Sequence, residues 1–277
     1  MREPPPPVTA TALRADALRS AVLEAAVLAG HLLLYPTGLV PAGLVPARLH
    51  PGRCPAPAPH GAIPYVARPP VVLLHGLSDN RSVFVPLHRA LARDGTRHVR
   101  AVNHSPLTLD LRAAAHRLTG HVDELRARTG RDEVDLVGHS LGGLVARYYV
   151  QRLGGAAHVR TVVTLGTPHG GTSALPLADV HPLVRQMRPD SPVLRELAAP
   201  APGCRTRFVS FWSELDLWMS PVETARLDHP DLDTVNVRVS GIGHLALPVH
   251  PSVTARIVAE LDRGSPASGT TGSMIVA

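Results

Sequence analysis

The chain has 277 residues, enough for one large domain with a full core. A hydrophobic fraction of 44% against 18% charged excludes a mainly disordered chain, and aromatic residues at only 3% leave the core to Ala, Val and Leu. The 28 Lys+Arg residues against 22 Asp+Glu give +6, and every one of those cations is arginine, which excludes Schiff-base chemistry on a lysine. The arginines are scattered. The densest run, 126–131, reads as a solvated helix end, and no aromatic–basic module accompanies it, so no nucleic-acid partner is expected. Two cysteines, Cys54 and Cys204, are too few for a disulfide framework or a four-ligand zinc site. Both lie in loop sequence. They pair only in an oxidising compartment, and two free loop thiols are the simpler reading.

In chain order, the proline run Pro4 to Pro7 comes first. Residues 17–35 then read as an apolar helix ending at Pro36. Arg19, Glu24 and His31 interrupt it, so it is not read as a clean transmembrane span. Asp16 and Glu24 make it atypical as a signal peptide. A helix docked on the domain or on a membrane surface fits better, and a cytoplasmic or peripheral-membrane location is favoured over secretion. A five-residue stretch is then repeated, Gly38-Leu39-Val40-Pro41 and Gly43-Leu44-Val45-Pro46, as an extended linker. The domain boundary is placed near residue 60, giving a helix and linker at 1–60, a catalytic domain at 61–263 and a Gly/Ser/Thr-rich tail at 264–277.

Between these ends strand and helix signals alternate. Short apolar runs at 71–74, 98–103, 134–137, 159–165, 207–211 and 235–239 read as strands. Helical spacing at 83–93, 109–129, 141–153 and 253–261 reads as helices. The alternation predicts an α/β fold, a predominantly parallel sheet with helices on both faces.

The chemistry sits at one strand–helix junction. Asp135-Leu136-Val137-Gly138-His139-Ser140-Leu141-Gly142-Gly143 contains G-x-S-x-G after a strand and before a helix. A turn that sharp forces a strained conformation on Ser140, and side chains at Gly138 and Gly142 would collide. A serine hydroxyl needs a base. Among 16 histidines, His244 in Gly241-Ile242-Gly243-His244-Leu245 is chosen, because a glycine-rich loop after the last strand can return its ring to the serine. His250 is the nearest competitor and lacks that loop. The base needs an acid to hold its tautomer. Glu214 and Asp216 both follow the strand at 207–211. Asp216 is preferred because Leu217-Trp218-Met219 anchors its loop. The oxyanion of an ester reaction needs fixed donors. The backbone N–H groups of Leu141 and Leu77 are expected to serve, with Gly76 allowing close approach and His75 fixing the loop.

These stretches resemble the lipase branch of the α/β-hydrolase superfamily, especially small bacterial lipases and esterases. The resemblance rests on Val71 to Leu77, Val137 to Gly143, Thr164-Leu165-Gly166-Thr167-Pro168-His169-Gly170-Gly171-Thr172, and Gly243-His244. It covers residues from about 70 to 261. It implies the α/β-hydrolase fold, hydrolysis of carboxylic esters, acyl-glycerols as the usual substrate class, and Ser140, Asp216 and His244 as triad, with no cofactor. It also implies that 166–172 lines the acyl site. His169 there is read as a loop histidine rather than a metal ligand. The segment 173–205 carries an apolar helical pattern at 182–197, which is either a small cap over the site or a packed surface helix. Acyl transfer with the same triad, or an inactive membrane-associated hydrolase fold, stand as rivals. A chain starting near residue 60 is expected to keep its triad and hydrolyse a short soluble ester.

Overall fold

The computed structural model describes residues 10–39, 67–103, 109–175 and 181–263. Six strands, β1 (Val71–Leu74), β2 (Val99–Val102), β3 (Val134–His139), β4 (Val159–Leu165), β5 (Arg207–Ser213) and β6 (Asp233–Val239), form one sheet in the order β2-β1-β3-β4-β5-β6. Every adjacent pair is parallel. The six expected strands are all present, and the expected α/β class is the observed one. β1 is apolar throughout, and β1 and β3 are buried along their whole length, because helices cover both faces.

The period of two along β1 divides the core. Val72 and Leu74 join a cluster with Leu118 of α3 (Leu111–Thr129), Leu144 of α4 (Leu141–Arg152), Val184 of α5 (Pro182–Gln186) and Leu197 of α6 (Pro192–Ala198). Val71 and Leu73 face the other way, onto Leu87 of α2 (Val85–Leu91) and Ile257 of α7 (Pro251–Asp262). Leu23 and Val27 of α1 (Ala10–Leu39) pack against this second cluster. Full burial of each such Leu or Val contributes about 1.5–3 kcal/mol, so the three layers are held mainly by this packing.

Two expectations change. The helix read as ending at Pro36 runs on to Leu39. The proline removes one backbone donor, but side chains inside and outside the helix hold the last turn. Thr37 Oγ1 donates to the Leu34 carbonyl at 2.6 Å, Asn80 Nδ2 to that of Tyr35 at 2.8 Å and Asn103 Nδ2 to that of Gly38 at 2.7 Å. The helical pattern at 182–197 is two helices rather than one. Asp190 takes φ 58 between them, and Ser191 accepts from Leu194 N–H to cap α6 at Pro192. Most of the Gly38–Pro46 linker, Cys54 and the tail lie outside the described residues. Cys204 is free and packs against the first core cluster.

Chain order and sheet order part company at β1 and β3. The chain leaves β1 toward β2, then returns to add β3 on β1's other side. Loops leaving the carboxyl ends of such neighbours diverge and open a crevice. The loop after β1 and the turn after β3 carry Leu77 and Ser140.

Candidate active site

β3 ends at His139 and α4 begins at Leu141, so Ser140 alone carries the reversal. It sits at φ 52 and ψ −120, a conformation costing about 1–3 kcal/mol for an L side chain. Neighbours impose it. A Cβ on Gly138 would lie 2.5 Å from Gly142 C, and one on Gly142 would lie 2.2 Å from the Leu74 carbonyl oxygen. Ser140 N–H donates to the Leu165 carbonyl at 2.9 Å, and Thr167 Oγ1 donates to the Ser140 carbonyl at 3.0 Å. Gly143 makes room for that threonine, since a Cβ there would lie 1.9 Å from Thr167 Oγ1. Ser140 is buried to 7% exposure and heads α4, whose dipole favours negative charge beside it.

His244 and Asp216 meet across the ends of β5 and β6. His244 Nδ1 lies 2.8 Å from Asp216 Oδ2, and both side chains are buried. The N–H on Nδ1 donates to the carboxylate, which leaves Nε2 as the basic atom. Asp216 Oδ1 accepts from Trp218 N–H at 3.0 Å, and the Trp218 ring stacks on His244 with centroids 5.2 Å apart. Gly166, at φ 53, lets this pair approach β4. Its missing Cβ would lie 2.9 Å from both Asp216 Oδ2 and His244 Nδ1. Burial lowers the pKa of His244, but the charge and hydrogen bond of Asp216, with Asp79 and Glu24 behind them, outweigh it and leave the pKa above the ordinary histidine value. The other acid candidate points elsewhere. Glu214 is ion-paired with the exposed Arg238. His250 bonds Ser252 Oγ at 2.8 Å.

Ser140 and His244 line one pocket together with Gly76 and Leu77. The loop after β1 crosses directly over Ser140: a Cβ on Gly76 would lie 3.3 Å from Ser140 Cβ. His75 Nδ1 donates to the Gly76 carbonyl at 2.7 Å and fixes that crossing. Leu141 is the first residue of α4, and its N–H has no acceptor within the helix. Ser78, Asp79 and His139 add polar lining, and the apolar part comes from Leu175, Met187, Trp218 and Leu245.

Three residues around this pocket make contacts that have no signal in the sequence. His139, between the elbow glycine and the serine, places Nδ1 3.1 Å from Asp79 Oδ2 and Nε2 3.2 Å from the His244 carbonyl. It thereby ties the loop after β1 to the loop that carries His244. Burial raises the Asp79 pKa, but the hydrogen bond and charge of His139, with His31 and His75, prevail and hold it below the usual range. α1, read from the sequence as serving location alone, also reaches the site. His31 Nδ1 lies 3.6 Å from Asp79 Oδ1, and Glu24 accepts from the N–H groups of Leu245 and Ala246. Residues 221 and 222 positions away cannot be matched to Glu24 by local pattern.

The segment over the pocket is tied down. The Leu197 carbonyl at the end of α6 accepts from Arg147 Nη2 at 2.9 Å and from Gln151 Nε2 at 3.3 Å, and Glu196 pairs with Arg112 and Tyr148. Met187, after α5, is both core and pocket lining. His169 bonds Thr164 Oγ1 at 3.0 Å, and its carbonyl accepts from Arg147 at 3.3 Å. Among the described residues no group of three or more His, Cys, Asp or Glu could hold a metal ion.

Known proteins share this architecture. The family described as palmitoyl protein thioesterase matches residues 70–214, just over half of the chain. A triacylglycerol lipase of Burkholderia plantarii is 34% identical over 125 residues, which are 42% of this chain and 34% of that protein. One from Pseudarthrobacter phenanthrenivorans is 34% identical over 112 residues, 38% of this chain and 34% of its own. The chain thus matches about a third of the length of these relatives. Aspergillus fumigatus lipase B superposes with a TM-score of 0.64 at 15% identity, over 75% of this chain and 56% of that one. A monoacylglycerol lipase of Paleococcus ferrophilus gives 0.53 at 17% identity, over 71% and 96%. The likeness of these structures lies in the fold, and with the family match over β1 to β5 it makes this chain a member of the palmitoyl protein thioesterase family, built on the α/β-hydrolase fold.

Proposed function

We propose that the protein is a serine hydrolase of carboxylic esters with an apolar acyl chain, acylglycerols or similar lipids, working through an acyl-enzyme on Ser140. The observation that carries this reading is the buried Asp216–His244 hydrogen bond opening into the same pocket as a serine held at φ 52. In this reading Ser140 Oγ attacks the ester carbonyl carbon while its proton passes to His244 Nε2. The N–H groups of Leu141 and Leu77 receive the oxyanion. The alcohol leaves with the proton from His244, and water, deprotonated by the same nitrogen, releases the acid. Asp216 stays ionised and stabilises the imidazolium. Leu175, Met187 and Trp218 suit the acyl part. The α/β domain runs from 61 to 263, with 173–205 as a small cap and α1 docked on it.

The relatives' names span oxyesters and thioesters, and one acyl-enzyme serves both. A chain-length series of nitrophenyl esters beside an acyl thioester ranks them. A fluorophosphonate should label the protein once, at Ser140, and both labelling and turnover should vanish in Ser140→Ala. Labelling that survives the substitution unchanged would overturn the reading.

The outward face of α1 is assigned to a lipid surface. Leu18, Val22, Leu32, Leu33 and Leu39 are exposed on it, Leu33 to 80%. Residues Leu18–Leu39 are long and apolar enough to cross a membrane, with mean hydropathy 1.4. The inward face instead docks on the domain, which favours lying along the interface, and the positive net charge favours anionic lipid. Flotation with anionic vesicles should carry the full chain up, and a Leu32→Ser, Leu33→Ser pair should weaken it.

A further inference from the structure

The turn after the general base has its own account of hydrogen bonds. Leu247 N–H reaches back to the His244 carbonyl at 3.4 Å, and Val249 and His250 N–H groups reach the Ala246 carbonyl at 3.1 and 2.9 Å. The N–H groups of Leu245 and Ala246 come first in the turn, like the orphan donors that open a helix. Both residues are buried. Glu24 of α1 takes both, one on each carboxylate oxygen, at 2.9 Å each. Such paired, charge-assisted bonds fix geometry as well as add energy. The contact is closely fitted. The three atoms nearest a Cβ on Gly243 would be Glu24 Cδ at 2.7 Å, Cγ at 2.9 Å and Oε1 at 3.0 Å.

We propose that Glu24 is a positioning residue for the general base: α1 holds the peptide that follows His244, and so belongs to the catalytic apparatus rather than to location alone. This rests on the hydrolase reading above. The ring of His244 is held by Asp216 and Trp218 and its carbonyl by His139, but the chain leaving it is held by Glu24. Without the carboxylate, two buried donors lose their partner, and the turn relaxes to find water. The imidazole moves with it, and a displacement of about 1 Å at a reacting group can cost about 10²-fold in rate. A chain starting near residue 60 therefore loses activity even on a short soluble ester.

The test uses the full chain. Glu24→Ala should lower kcat on a soluble ester about 10²-fold with KM little changed, and should slow fluorophosphonate labelling by the same factor. Glu24→Gln keeps one acceptor and should lose about tenfold. It should also move the acid limb of the pH profile downward. The groups facing His244 are the carboxylates of Asp216, Asp79 and Glu24 and the ring of His139, and removing one carboxylate disfavours the imidazolium. A contact that bears on folding alone would leave kcat and the labelling rate of folded Glu24→Gln at the parent values. Gly243→Ala should cost activity in the parent chain but little more in the Glu24→Ala background, where the blocking side chain is gone. If Glu24→Ala fails to fold, Glu24→Gln carries the test. Parent-like kcat and acid limb in Glu24→Gln, or additive losses in the double variant, overturn the proposal. A parent protein that neither labels nor turns over ester overturns the hydrolase reading instead, whatever Glu24 does.

Discussion

The reversal at Ser140 is written in the nine residues 135–143, with only β1 and the end of β4 closing on it through Leu74, Leu165 and Thr167, whereas His244 is held from four separate stretches of chain. The elbow needs a strand end, a helix start and two missing side chains, with the carbonyl end of β1 as the wall behind them. The base needs Asp216 and Trp218 after β5, His139 at the end of β3, Gly166 after β4 and Glu24 in α1. The turn at Ser140 thus follows largely from local sterics. In the proposed mechanism His244 swings a proton between two partners, and bonds to distant residues orient it.

The largest test of this contrast removes each partner. Ser140→Ala and His244→Ala should each lower ester turnover by about 10⁴ or more, and the double variant should lose little beyond either one, because the pair acts as a unit. Steady-state kinetics on a soluble ester measures this. Multiplicative losses would mean that the two side chains act in different steps. Next in size is the acid. Asp216→Asn should cost on the order of 10⁴ through the wrong tautomer of His244. Glu214→Gln should leave turnover unchanged, since Glu214 is engaged with Arg238 on the surface. A severe Glu214→Gln with a mild Asp216→Asn would reverse the assignment.

The same contrast explains what could be read from the sequence. The strands announce themselves as apolar runs, and the elbow as G-x-S-x-G at a strand–helix junction, because both are local. Asp216 and His244 follow from chain order and from loops after strands. Glu24 could not be found in this way. It stands as an interruption in an apolar helix, which is also how a solvated charge looks, and its partners are 221 and 222 residues away. The extension of α1 past Pro36 was hidden for the same reason, since Asn80 and Asn103 supply the donors. The break between α5 and α6 was partly legible in Pro189-Asp190-Ser191-Pro192. Apolar periodicity continued across it because both helices bury their faces in one cluster.

A third test concerns pH. His244 must be neutral to act as base, and Asp216, acting against burial, raises its pKa. The acid limb of kcat/KM should therefore lie above the ordinary histidine value and fall back in Asp216→Asn, where the charge is gone. A limb that ignores Asp216 would detach it from the base.

The smallest test sets His244 against His169, two buried histidines with opposite shifts. Burial, then the charge of Arg147, holds the His169 pKa well below 6.5. The geometry agrees. Thr164 Oγ1 donates to Ser210 Oγ at 3.0 Å, and Ser210 Oγ donates on to the Ala225 carbonyl at 2.7 Å, so Thr164 accepts from His169 Nε2–H. The other nitrogen lies 3.5 Å from Arg147 Nη1, where a second proton would face a guanidinium. The folded protein keeps His169 neutral while the unfolded chain protonates it below 6.5. Its contribution to stability is present above that value and is lost as pH falls, by up to roughly 1.4 kcal/mol per pH unit. His244, with its raised pKa, has the opposite sign: its contribution is full below 6.5 and is lost as pH rises through its folded pKa. Urea denaturation at about pH 5 and pH 7.5 separates the two. His169→Gln keeps a donor for Thr164 and should reduce the acid loss, whereas His244→Gln should steepen it. An unchanged acid slope in His169→Gln would mean that a proton finds room beside Arg147, and that this loop is less closed than its hydrogen bonds imply.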